Sequence, residues 1–128
     1  MAIREVIFRG KRTDNGEWIT DSETYIRDGD GIWLSDENLN VVTVIPETVG
    51  QYTGLIDKNG MKIFEGDILT IENEGVYAAI KYNESNAAFY VEDEDHEDYL
   101  GEAWETDVVI IGNIHDNPEL LKGGEDNG

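Results

Sequence analysis

Apolar residues along this chain come in short runs of branched and aromatic side chains, interrupted by clusters of Gly, Asn and Asp. That texture predicts many short strands joined by tight turns, because Gly and Asn accept the positive φ that hairpin loops demand. In the first half the runs fall at residues 3–9, 17–20, 24–27, 31–34 and 41–44. The turns between them are Asp14-Asn15-Gly16 and Asp28-Gly29-Asp30-Gly31. Pro46 cannot donate to a ladder and holds Ile45 extended, so the last of these strands ends near Ile45. Residues 1–48 therefore read as a β-hairpin lobe.

The second half is more regularly patterned. Within residues 51–68, two apolar runs flank the turn tetrad Asp57-Lys58-Asn59-Gly60, and a further strand opens at Glu65-Gly66-Asp67. That strand spans residues 67–73. In the next one Val76, Ala78, Ile80 and Tyr82 share a face and Tyr77, Ala79 and Lys81 the other. Ala87, Phe89 and Val91 alternate in the same way and complete a three-strand meander. The unbroken run Val108-Val109-Ile110-Ile111 predicts a strand covered on both faces. Residues 49–122 are thus expected to form a small SH3-like barrel ending in a short helical turn. There Asn117 is the expected N-cap, Pro118 the first helical residue and Glu119 the complement to the helix dipole. Residues 123–128 read as a flexible tail. The expected fold class is mainly β, with many short antiparallel strands, an N-terminal β lobe plus a small SH3-like barrel, and very little helix.

Composition narrows the picture. A chain of 128 residues fits one compact domain built of two lobes, and 39% hydrophobic residues suffice for a core. At least one of Trp18, Trp33 and Trp104 is expected there. The absence of cysteine excludes disulfides and thiolate chemistry and agrees with a cytoplasmic location. No apolar run is long enough to span a bilayer as a helix, and the N-terminus has no secretory pattern. Nine basic against 29 acidic residues give a net charge of −20. The first 50 residues contribute −5 and the remainder −15. A surface of that sign repels phosphate backbones and anionic membranes, and favours basic proteins.

Three blocks carry a family resemblance: Ile7-Phe8-Arg9-Gly10-Lys11 at the start, Tyr52 through Asp67 in the middle, and Ile111 through Leu121 at the end. On these the chain resembles the YopX family of phage and prophage proteins. The resemblance implies a small mobile-element protein in a bacterial cytoplasm and carries over no catalytic residues. The blocks also have a plain physical reading. Gly54, Gly60 and Gly66 stand where the backbone turns tightly, Asp67 can accept backbone hydrogen bonds at the start of a strand, and Tyr52 can bury its ring.

Candidate chemistry is sparse. His96 and His115 stand apart, with neither a nucleophile elbow nor paired ligands, so no hydrolytic triad or zinc site is expected. Residues 92–98 place six carboxylates in seven positions, which predicts an extended, solvated loop because like charges repel. The run Asp36-Glu37-Asn38-Leu39-Asn40 with Glu47 mimics calcium-ligand spacing, but Val41 occupies the position that needs Gly. No phosphate loop or dinucleotide fingerprint occurs. The expectation is therefore no catalytic, cofactor-binding or metal residue and no cofactor. The protein is read as non-enzymatic, acting through protein–protein contacts with a basic partner, with homo-oligomers possible through strand edges. Two other readings are a magnesium-dependent enzyme on nucleotides or nucleic acids, and a DNA mimic that inhibits a host DNA-binding protein.

Overall fold

The structure is a computed structural model that describes residues 6–71, 76–85, 88–92, 97–99 and 108–122. Among the described residues it is mainly β, with very little helix. The chain forms two compact units, Met1–Gly54 and Leu55–Gly128.

In the first unit β1 (Phe8–Lys11) pairs antiparallel with β2 (Trp18–Ser22) on one side and with the start of β6 (Gly50–Ile56) on the other. A second sheet has the order β3-β4-β5, from Ile26–Asp28, Gly31–Ser35 and Val41–Val44. Ile19, Ile32, Leu34 and Val44 are buried together, with Phe8, Val42 and Val49 packed against them. The first strand runs through Gly10 rather than ending before it, as the pattern of residues 3–9 had suggested. A side chain at Gly10 would meet Leu34 and Val49 at 3.3 Å, so the bare backbone is what lets the core close over β1. β5 ends just before Pro46 as expected, and Pro46 opens a 3-10 turn, Pro46–Thr48. Thr48 Oγ1 accepts the Lys11 N–H at 2.9 Å and ties that turn to β1.

The second unit is one five-stranded antiparallel sheet that curls as a half-barrel, the form taken by the expected SH3-like barrel. β7 (Lys62–Phe64) follows the Asp57–Gly60 turn and pairs with β6, outside that sheet. Then β8 (Asp67–Ile71), β9 (Val76–Asn83), β10 (Ala88–Glu92) and β11 (Glu97–Tyr99) form a meander, and β12 (Val108–Asn113) returns to pair with β8. Ile63, Leu69, Ala78, Ile80, Phe89, Val91 and Val108 make the core. Ala79 is also buried, so β9 is covered on both faces in its middle and not on one alone.

Three expectations are corrected. β12 stands at the edge of its sheet and is not covered on both faces. A bulge between Ile110 and Gly112 leaves Ile111 37% exposed. The acidic run does not form a wholly extended loop: Glu92 ends β10 and Glu97–Tyr99 pairs back along it, Glu92 opposite Glu97. Its middle residues, His96 among them, lie outside the described residues, as do Trp104 and the 123–128 tail. The helix α1 is Glu119–Lys122, and Asn117 does not cap it with its side chain. Asn117 Oδ1 instead accepts the Asn113 N–H, packed so close to Gly112 that a side chain there would lie 2.6 Å away.

Candidate functional site

The recognisable central segment proves to be structural machinery. β6 runs into a turn whose Asp57 carboxylate is buried and accepts three backbone N–H groups. Oδ1 takes those of Asn59 and Met61 at 2.8 and 2.9 Å, and Oδ2 takes that of Ile110 at 3.0 Å. The Lys58 N–H adds a bond to Val108 O at 2.8 Å. These bonds occupy Val108 O and the Ile110 N–H, so the turn seals the first half of this edge of the half-barrel. Asp67, 2% exposed, accepts the Phe64 N–H at 2.8 Å and closes the following turn. Gly66 sits within that turn at φ +96, its N–H bound to Ile80 O and its carbonyl to the Ile114 N–H. Gly54 and Gly60 also have positive φ, at +93 and +85. Asp57, Asp67 and the segment's glycines are thus committed to backbone geometry.

A cleft of about 330 Å³ lies in the first unit, lined chiefly by Arg12, Glu17, Trp18, Asp36, Glu37 and Asn38. β2 and the β4–β5 turn build it, with Arg12 between them. Ser22, at the end of β2, is buried. Its Oγ accepts the Thr24 and Ser35 N–H groups at 3.1 and 3.0 Å and lies 3.2 Å from Ser35 Oγ, which fixes β2 against β4. Trp18, half-buried, packs under the cationic ends of Arg9 and Lys11, 5.0 and 5.5 Å from its ring centre.

The far wall is the β4–β5 turn, the run whose spacing resembles a calcium loop. Its Asp36 Oδ1 is taken up by the Asn38 and Asn40 N–H groups at 2.9 and 2.8 Å, the bonding of a hairpin turn. Those backbone bonds, Asn40's first, hold the Asp36 carboxyl below its ordinary 3.8, with Arg12 at 4.0 Å adding to them. Arg12 forks onto Asp14 with two 2.9 Å bonds, which lowers the Asp14 pKa and raises its own. Glu17 and Glu37 are exposed. The tip of the turn is Leu39, 82% exposed and held at φ +68. For a branched apolar residue that conformation is strained, and Asn or Gly adopts it more easily. Sequence pattern could not reveal Leu39, because only the backbone angle shows what displaying it costs.

The structure does not bring the other candidates together. The edge of the Trp33 indole lies against Gly31 on the outer face of its sheet, and neither it nor Trp18 joins a core. His115, half-buried, stands in the turn after β12, where its N–H is bound by Asn113 Oδ1. Among the described residues no three of His, Asp and Glu are grouped to hold a metal ion.

Comparison with known proteins gives a consistent result. The family model described as YopX protein matches residues 7–122. The crystal structure of protein EF1440 from Enterococcus faecalis superposes with a TM-score of 0.64 at 26% identity, covering 93% of this chain and 99% of that one. No curated protein matches the sequence.

Proposed function

This chain belongs to the YopX family, and we propose that it is a non-enzymatic phage or prophage protein that works in the bacterial cytoplasm by binding a basic protein partner. The observation that carries this reading is Leu39. A large apolar side chain is held out in solvent, at a backbone angle that costs stability, next in sequence to Asp36, Glu37 and Asn38, which line the cleft together with Glu17. Strain of this kind persists where a surface is used, and exposed apolar anchors ringed by charge are the make-up of a protein contact. The cleft's acids would steer a cationic partner, and Leu39 supplies the apolar contact.

The test separates binding from folding. Leu39→Asn relieves the strained angle and is expected to raise stability by about 0.5–1 kcal/mol. The same change is expected to abolish capture of a basic partner from bacterial lysate at low salt. A variant that gains stability and still captures the same partner would refute the assignment of Leu39 as the anchor.

A further inference from the structure

Three of the outer strands, β12, β2 and β5, are each closed or bent away from pairing. β12 is sealed by the Asp57 turn. The free side of β2 carries a bulge: between the Phe8↔Ser22 and Gly10↔Ile19 pairs β2 holds one residue more than β1, and Asp21 there adopts φ +58. Bulges and out-turned charges of this sort keep a strand from pairing with a stranger. β5 is closed by the Arg12↔Val44 bridge and by the Ile45 N–H to Lys11 O and Thr13 N–H to Thr43 O bonds.

β3 has neither a bulge nor a turn bonded along it, and its protection is limited to the charges of Arg27 and Asp28. It is the outermost strand of the order β3-β4-β5, and Ile26, Arg27 and Asp28 are all exposed. Its hairpin with β4 turns through two residues, with Gly29 at φ +63. In such a loop the flanking pair exchanges both hydrogen bonds, so Asp28 and Ile26 bond to β4 while Arg27 turns its N–H and C=O away from it. Among the described residues, neither Arg27 nor Tyr25 has a backbone partner on that side. Tyr25 is held in place by its ring, 4.9 Å from that of Phe8. On the outer face the register aligns Ile26, Trp33 and Thr43 as cross-strand neighbours. Ile26 is 45% exposed, and the Trp33 indole beside it is half-buried.

We infer that the β3 edge is a docking edge for an extended, basic segment of another protein, which adds as a fourth strand beside Tyr25 and Arg27. Charge chooses this occupant over a second copy of the chain. Asp21, Glu23, Asp28 and Asp30, exposed within a few positions of β3, outnumber the one basic side chain there, Arg27, and self-pairing would bring two such acidic edges together on molecules of net charge −20. A strand alternating lysine with valine satisfies the free backbone groups, neutralises the carboxylates and lays its apolar face along Ile26 and Trp33. The inference goes beyond the proposal for the cleft and shares with it only the basic character of the partner.

The experiment titrates the full chain with a capped Lys-Val-Lys-Val-Lys-Val peptide and follows backbone amides by NMR. Saturable binding is expected, with the largest shifts at Tyr25–Asp28 and none for a Glu-Val peptide. Arg27→Pro removes the outward N–H and spares the β4 ladder, since Pro is accepted at an edge. It is expected to weaken binding about tenfold, as loss of a backbone hydrogen bond predicts, whereas Arg27→Gln, which removes only the charge, does not weaken it. A peptide N-methylated on alternate amides should lose binding equally, and that arm decides the matter if Arg27→Pro fails to fold. Binding that falls with salt yet ignores both changes would overturn the edge inference while leaving the cleft proposal standing. No binding at low salt would overturn it too, as would self-association of the free protein that Arg27→Pro abolishes. The Leu39→Asn capture assay reports on the cleft independently.

Discussion

A single carboxylate does most to define the second unit. Asp57 accepts three backbone N–H groups from two segments, and a buried acceptor of that kind leaves its donors unsatisfied when it is replaced. Asp57→Asn keeps the shape but turns an amide towards a donor, and should cost about 1–3 kcal/mol in a denaturant titration. Gly66→Ala meets a different penalty. At φ +96 with both backbone groups bound, the added methyl should cost about 1–2 kcal/mol by the same measurement. Two acids of the first unit respond to pH. Asp14 is held below its ordinary 3.8 chiefly by the Arg12 bond, and Asp36 chiefly by the Asn40 N–H. A depressed carboxyl stabilises the fold above its unfolded pKa, and that contribution is lost as pH falls through the folded value. NMR titration should therefore place both midpoints below 3.8. Arg12→Ala should raise that of Asp14 clearly and that of Asp36 only slightly.

Elements divide into those a pattern announces and those that tertiary context decides. Residues 41–44 were legible to the residue, because β-branched side chains there end against a proline. The β9 alternation was legible too, except at Ala79, whose small side chain gives no sign of whether its face is covered. β12 misled because four apolar residues in a row suit a doubly covered strand. The covering on its outer side is instead a hydrogen-bonded turn, which hydropathy does not encode. Asn117 misled through its type: Asn before Pro suits a cap, but the nearby Asn113 N–H claimed its oxygen. The cleft was invisible for a related reason. Its walls come from β2 and the β4–β5 turn, which only the folded register brings together. Burial ranks the strands in cost. Leu69→Ala or Ile80→Ala, both at 0% exposure in the half-barrel core, should lose about 2–5 kcal/mol, whereas Arg27→Pro on the β3 edge should change the melting temperature little.

Across the whole molecule the net charge of −20 works against compactness as well as against nucleic acid. Most of it, −15, falls on residues 51–128. Screening that repulsion should raise the melting temperature as monovalent salt increases from about 0.01 M to 0.15 M, where the Debye length shortens from about 30 to 8 Å. The same salt should weaken capture of a basic partner. Opposite responses of stability and binding to one variable would mark the charge as retained for recognition. Equal and parallel responses would argue against it.

The bond from Asp57 to the Ile110 N–H spans 53 positions of chain, and this sets an order of events in time. The turn around Asp57 closes locally, within microseconds. Its second oxygen must wait for a strand that leaves the ribosome much later. Until β12 arrives, β8 is a raw border and the carboxylate is an unfilled latch facing water. A nascent or clipped chain that stops short of Val108 would present that border to its neighbours, and such transient borders are where young β proteins stick together. The family's most recognisable segment thus has a second duty during synthesis: it is the waiting half of the lock by which the last strand ends the risk.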